Sequence, residues 1–355
     1  MSGNDPIKWS LDSLEGAPDP DGDQAGGLRG HLRRVFPGVS VAALVALAAA
    51  WLSDHYTAPI MLFALLLGMA MNFVRHDPLF RRGLDFATRD ILRAGVALLG
   101  LRITLDQVLV LGPGVVLLVS SGVVVTMLAG RMIAKALRLQ SDFGLLTGGA
   151  VAICGASAAL AISAALPPSP SRERDTLLTV VGVTALSTLA MVIYPLLSAL
   201  LGFSELQAGV LLGGTIHDVA QVVGAGYGIS DEVGDTATIV KLLRVALLVP
   251  TIVVLTLMFR VRSSDQKLLG RAPILPWFLV GFVALAAIGT MGWLPAPFVH
   301  FGEDASRALL VCAIGAVGAK TSFGDLFKVG TAPILLIVLE SAVILAWITS
   351  WVALG

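Results

Sequence analysis

Apolar runs of about 20 residues recur from Val35 to Val352, and each is long enough to cross a bilayer core roughly 30 Å thick. Lipid offers no hydrogen-bond partner, so a chain built this way must satisfy its backbone within helices or a closed barrel. A barrel would show short alternating segments, and none is present. The composition agrees: 56% of the residues are hydrophobic and 14% charged, against about 25% charged in soluble domains. The mean hydropathy is +0.87. The expected fold class is an all-α polytopic membrane protein.

Eleven spans can be drawn, near 36–52, 58–74, 91–111, 114–134, 143–166, 177–201, 206–227, 236–259, 274–291, 306–323 and 332–352. Residues 1–34 carry Asp5, Asp12, Glu15, Asp19, Asp21 and Asp23 among Pro and Gly, a composition that reads as a disordered cytoplasmic tail. Residues 35–355 then form the transmembrane domain. Cytoplasmic loops gather Lys and Arg. With the N-terminus inside, they receive Arg29, Arg33, Arg34, Arg75, Arg81, Arg82, Arg89, Arg131, Lys135, Arg138, Arg260, Lys267 and Lys328. The outer loops receive Asp54, Asp231, Glu232, Asp235, Glu303 and Asp304. The expected location is the inner (plasma) membrane, multi-pass, with the C-terminus outside.

Three stretches interrupt the apolar background. The fifth span holds Gly148, Gly149 and Gly155 with Cys154, Ala156 and Ser157. Glycine weakens a helix by about 1 kcal/mol against Ala, so an unwound segment is expected there, with Ser157 beside the second half-helix. Close packing of small residues is the other reading. The tenth span holds Gly315 and Gly318 followed by Lys320, Thr321 and Ser322. A break at Gly318 would point a helix N-terminus at an anion; a lysine snorkelling to the surface is the alternative. The seventh span carries His217, Asp218 and Gln221 after Gly213 and Gly214, with no other charged residue from Leu206 to Tyr227. An acid at bilayer depth costs roughly 2.5–3.5 kcal/mol on insertion scales and usually marks a pathway. A coupling role through protons or sodium is expected for this group, beside a purely structural cluster. Glu340, in the eleventh span, is expected to pair with a cation such as Arg102, Lys241 or Arg244.

Two internal echoes appear. Gly155–Ala159 matches Gly318–Ser322, and Gly100–Leu105 matches Gly318–Phe323, each in opposite orientation. The first register gives one leading helix and two inverted five-helix repeats, about 58–201 and 206–352, with crossed broken helices in the fifth and tenth spans. The substrate would sit where such repeats meet.

The runs Gly148–Ala159 and Gly213–Val222, together with the Arg102-bearing Gly100–Leu105, resemble the signatures of the sulfate exporter family of YeiH-like conserved bacterial membrane proteins. The resemblance covers about 35–352. It implies the cation:proton antiporter and anion transporter superfamily, with two inverted five-helix repeats and crossed broken helices. Lys320 stands where similar sequences often carry an uncharged residue.

The expected function is secondary active export of a small anion such as sulfate, sulfite or an organosulfonate, with proton or sodium coupling. Cys154, Gly155, Ala156, Ser157, Gly318, Lys320, Thr321 and Ser322 would bind substrate, with His217, Asp218, Gln221 and Arg102 on the pathway. A passive channel and an intramembrane enzyme are the alternatives, but His-Glu-x-x-His and a second mid-membrane aspartate are missing, so no enzyme is expected. No phosphate-binding Gly-x-x-x-x-Gly-Lys loop is present, no basic patch suits nucleic acid, and Cys154 and Cys312 are too isolated for a metal site. The expected partners are the lipid bilayer, the substrate anion and a second copy of the chain, with no cofactor.

Overall fold

The computed structural model describes residues 28–56, 59–103, 111–260, 276–321 and 331–354. All regular structure among them is helical. The chain runs through α1 (Leu28–Tyr56), α2 (Ile60–Ala70), α3 (Pro78–Phe86), α4 (Leu92–Leu99), α5 (Gly112–Ala136), α6 (Ser141–Ala152), α7 (Ala156–Ala165) and α8 (Arg172–Leu200). It continues through α9 (Glu205–Thr215), α10 (Val219–Tyr227), α11 (Asp231–Ala246), α12 (Leu248–Arg260), α13 (Trp277–Thr290), α14 (Ala296–Lys320) and α15 (Thr331–Leu354). A π-helical turn, Ala87–Ile91, joins α3 to α4. Five helical stretches among the described residues are long and apolar enough to cross a membrane: Leu32–Tyr56, Gly112–Ala136, Arg172–Leu200, Asp231–Phe259 and Thr331–Leu354. Their outward faces carry Leu44, Leu117, Leu128, Ile193 and Leu196, as lipid requires.

The expected eighth span is only interrupted at Leu247, between α11 and α12, whose hydrogen bonds run on, whereas the fifth and seventh are each split into a pair of short helices, α6 with α7 and α9 with α10. Both pairs lie in the buried centre. All residues of α6 from Phe143 to Ala152 are buried, and so are those of α9 from Ala208 to Thr215. Helix α11 packs along α9 and α10, and glycines set the spacing: a Cβ at Gly213 would stand 2.3 Å from the Ala237 carbonyl oxygen.

The expected break in the tenth span is not there. Helix α14 runs unbroken through Gly315 and Gly318 to Lys320. Its glycines serve close approach to α2 instead. A Cβ at Gly318 would lie 2.4 Å from the Leu65 carbonyl oxygen, and one at Gly68 would lie 2.2 Å from that of Gly315. Small residues that let two backbones touch add dispersion contact in lipid, where no hydrophobic force drives helices together. The echo between the fifth and tenth spans is therefore one of composition, and the second broken helix is the seventh span.

Candidate functional site

Breaking a helix in the membrane strands the carbonyls of one half and the N–H groups of the other. Both breaks here are resolved in the same way. In the first, Gly155 takes φ +64°, a value L side chains resist, and the chain restarts as α7. In the second, Ile216 and Asp218 are extended, with ψ 137° and 147°, and α10 follows. A Cβ at Gly155 would stand 3.6 Å from the His217 carbonyl oxygen, so the two breaks touch.

The stranded carbonyls are taken up by two cations from α11. Lys241 Nζ donates to the carbonyls of Ile153 at 2.8 Å, Ile216 at 3.0 Å, and His217. Arg244 donates through Nε to Ala152 O at 2.8 Å and through Nη2 to Val151 O at 2.7 Å. Its Nη1 reaches Gly213 O at 3.1 Å and Ile216 O at 2.9 Å. Both side chains are fully buried. A helix C-terminus carries about half a negative charge, so the ends of α6 and α9 together offset much of this buried positive charge. Lys241 and Arg244 are thus capping residues, and neither is the partner of Glu340. Their spacing of three residues in an apolar run puts them on one helix face, a signal present in the sequence.

The other halves of the breaks face a cavity of about 220 Å³ whose lining includes Cys154, Ser157, Asp218 and Val219. The N-terminal ends of α7 and α10 both open here, with about half a positive charge each. The opposite wall is formed by Thr88 and Arg89 of the π-helical turn and by Arg93 of α4, with Trp277 and Phe278 of α13. The Arg93 guanidinium lies 5.9 Å from the centre of the Phe278 ring. The volume is thus ringed by two helix N-termini, the Ser157 hydroxyl, the Arg89 and Arg93 guanidinium groups and one carboxylate, Asp218, so that positive groups outnumber the acid around it. Arg93 and Thr88 were not singled out from the sequence. The visible signal was Arg89 and Arg93, four apart and so on one helical face.

The remaining expected residues divide sharply. Gly155 and Ala156 lie at the first break beside this cavity. His217 is buried, and its Nε2 lies 3.0 Å from Ser341 Oγ. The same hydroxyl lies 2.7 Å from Ile337 O, and when it donates there the imidazole is the donor. Gln221, two residues into α10, is buried with its Oε1 unpartnered. Arg102 lies elsewhere, on a second cavity of about 280 Å³. There it donates to Asp235 Oδ2 at 3.2 Å and pairs with Asp231 at 3.2 Å, while Tyr227 Oη donates to Asp235 Oδ1 at 2.6 Å.

Gly318, Lys320 and Thr321 are likewise away from the cavity. Lys320 Nζ pairs with Asp85 at 2.5 Å, both side chains about a third exposed. The Asn72 amide donates to the carbonyls of Ala319 at 2.9 Å and Thr321 at 2.6 Å, closing the end of α14. This corrects the expectation of a break at Gly318: an unbroken α14 has no mid-membrane N-terminus there. Ser322 lies outside the described residues.

Glu340 also differs from expectation. It is fully buried on α15, and its Oε1 accepts from Thr147 Oγ1 at 2.7 Å. Among the described residues it has no cationic partner, since Arg102, Lys241 and Arg244 are engaged as described above.

Comparison with known proteins places these motifs. A family model described as conserved hypothetical protein 698 matches residues 37–337. The UPF0324 membrane protein TauZ of Paracoccus pantotrophus is 49% identical over 328 residues, covering 91% of this chain and 96% of its own length. A UPF0324 membrane protein of Chlorobaculum tepidum is 50% identical over 309 residues, covering 87% and 86%. The chain belongs to the UPF0324 family. A more distant UPF0324 membrane protein, from Bacillus cereus, is 31% identical over 301 residues. No solved structure matches the chain. Membership of UPF0324 agrees with the resemblance read from the glycine-rich and His217-Asp218 motifs, and it makes this a membrane protein.

Proposed function

We infer that this UPF0324 protein is a secondary transporter that carries a small oxyanion across the membrane by alternating access. The observation that carries the reading is the cavity where α7 and α10 begin, with Ser157, Thr88, Arg89 and Arg93 around it. Sulfate, sulfite and organosulfonates are the substrate classes of choice, because their oxygens accept several hydrogen bonds and can bridge paired guanidinium groups. Discontinuous helices at the substrate are a recurring device of carriers, and they favour a carrier over a passive channel or an enzyme. Eleven crossings with a cytoplasmic N-terminus and an outer C-terminus complete the reading, supported by the Lys and Arg bias of the loops. The layout of one leading helix and two inverted five-helix repeats rests on the family resemblance; it pairs the fifth and tenth spans, which are alike in composition but of which only the fifth is broken. Asp218, on the cavity wall, would be the pathway acid, and transport would be coupled to protons or sodium.

Cys154 gives a direct test, because its thiol lines the cavity. In a Cys312→Ser background, a transported anion should slow the reaction of Cys154 with a small thiol reagent by tenfold or more. Arg93→Gln should abolish that protection and the matching counterflow in proteoliposomes. Equal labelling rates with sulfate, sulfite, organosulfonates and chloride would sink the site.

A further inference from the structure

Two adjacent residues of α15 touch the two broken helices. Ser341 holds His217 at the second break, and Glu340 holds Thr147 of α6, five residues before that helix ends at the first break. Glu340 is the tenth residue of the 24-residue helix Thr331–Leu354, about 14 Å along its axis, and therefore deep in the membrane.

The pocket around this carboxyl group is built for it. A Cβ at Gly130 of α5 would lie 2.4 Å from Glu340 Oε1, and one at Gly148 would lie 3.5 Å from it. The two glycines leave the volume that the acid fills. Oε2 of Glu340 and Oγ1 of Thr126, one turn before Gly130, are buried without a hydrogen-bond partner. The titratable groups on the helices packed against α15 are Arg131 and Lys135 of α5, Asp142 of α6, Glu205 of α9, and Arg172, Glu173, Arg174, Asp175 and Tyr194 of α8. Among the described residues, none of them bonds to Glu340, whose sole polar contact is Thr147. A lone carboxylate held this way lacks both a counter-charge and most of the donors that its lone pairs need.

The hydrogen count at Thr147 points the same way. Its hydroxyl has one hydrogen and three acceptors within reach, Phe143 O at 3.1 Å, Gly144 O at 3.4 Å and Glu340 Oε1 at 2.7 Å, the second being the weakest. With a protonated Glu340 both closer contacts are satisfied: the acid donates to Thr147 Oγ1, which donates to Phe143 O. When the acid ionises, the same hydroxyl can turn to the carboxylate. The pair can thus serve both protonation states with one side-chain rotation.

We propose that Glu340 is a proton-binding site, loaded while buried between α5, α6 and α15 and discharged to water when α15 parts from the broken helices. It presupposes the transporter proposed above only for the use made of the proton. The step is the ionisation of one carboxylic acid, with the proton passing to water on whichever side is open.

The test separates the two ideas. Infrared difference spectra of the reconstituted protein between acidic and alkaline buffer should show the carbonyl stretch of a buried protonated acid in the wild type and none in Glu340→Gln. An unchanged band in the variant overturns the site, whether or not transport is found. Thr147→Val, which keeps the acid and removes its hydroxyl partner, should shift that band and move its loss to more alkaline pH; an unaltered band and profile counts against the site even if Glu340→Gln does not fold. In proteoliposomes, the ratio of radiolabelled sulfate flux with and without a pH gradient should fall to one in Glu340→Gln while exchange continues. A retained pH-gradient response, or a sodium dependence that the variant abolishes, overturns the proton assignment. If sulfate is not moved by the wild type, the transporter reading loses its sulfate arm and the infrared result alone decides Glu340.

Discussion

The fifth and tenth spans look alike on paper and behave oppositely in the fold. Each places glycines one to seven residues apart ahead of a hydroxyl residue, Gly148, Gly149 and Gly155 before Ser157, and Gly315 and Gly318 before Thr321. In the fifth span the helix ends at Ala152 and restarts at Ala156. In the tenth it does not falter before Lys320. What differs is the surroundings. The fifth-span break has Lys241 and Arg244 to receive its stranded carbonyls, whereas the tenth span has the backbone of α2 pressed against it. Glycine permits a break, but a donor elsewhere in the fold decides whether lipid will tolerate one.

The strongest way to break the comparison is to remove the donors. Arg244→Leu leaves the Val151, Ala152 and Gly213 carbonyls without their partner, and each buried acceptor left unsatisfied costs about 1–3 kcal/mol. The variant should not survive as a monodisperse protein in mild detergent. A wild-type melting temperature would show that the breaks stand without it. Gly155→Ala comes next. Forcing an alanine to a positive φ of this kind costs roughly 1–3 kcal/mol. Because the start of α7 would shift, anion protection of Cys154 should fall about tenfold or more.

Gly318→Ala sharpens the contrast from the other side. Its new methyl group meets the Leu65 carbonyl oxygen, and overpacking of this sort costs about 1–3 kcal/mol. Thermal stability should drop while Cys154 protection keeps its wild-type anion dependence; loss of protection would tie the tenth span to the site after all. Lys320→Gln should do least. Its ion pair with Asp85 is about a third exposed, and such pairs are worth at most about 1 kcal/mol before solvent screening. Stability and anion protection should both stay near wild type, and a tenfold loss of protection would restore Lys320 as a ligand.

Much of the fold was legible because lipid imposes simple rules. Apolar length located the helical segments, and the glycines with Ser157 located one true break. Around His217 and Asp218 the signal was the flanking Gly213, Gly214, Gly224 and Gly226, which permit the break that the expected layout placed in the tenth span instead. What the sequence left open was pairing. Nothing in the run around Lys241 and Arg244 says that their acceptors are backbone carbonyls 24 to 93 residues away. Nor could local sequence say that Gly318 faces Gly68 rather than a ligand. Glu340 misled for the same reason: an acid in a membrane invites a cation, yet two glycines and a threonine hydroxyl are what surround it.

The capping cations also bear on how this protein is made. Every carbonyl that Lys241 and Arg244 bind, from Val151 to His217, precedes them in the chain. Synthesis delivers N-terminal segments first, so both broken helices reach the membrane with unpaired ends before α11 arrives. Until then water or other polar groups have to serve those carbonyls, since hydrocarbon offers them no partner. The entry of α11 supplies the donors that let both breaks sit in the membrane interior.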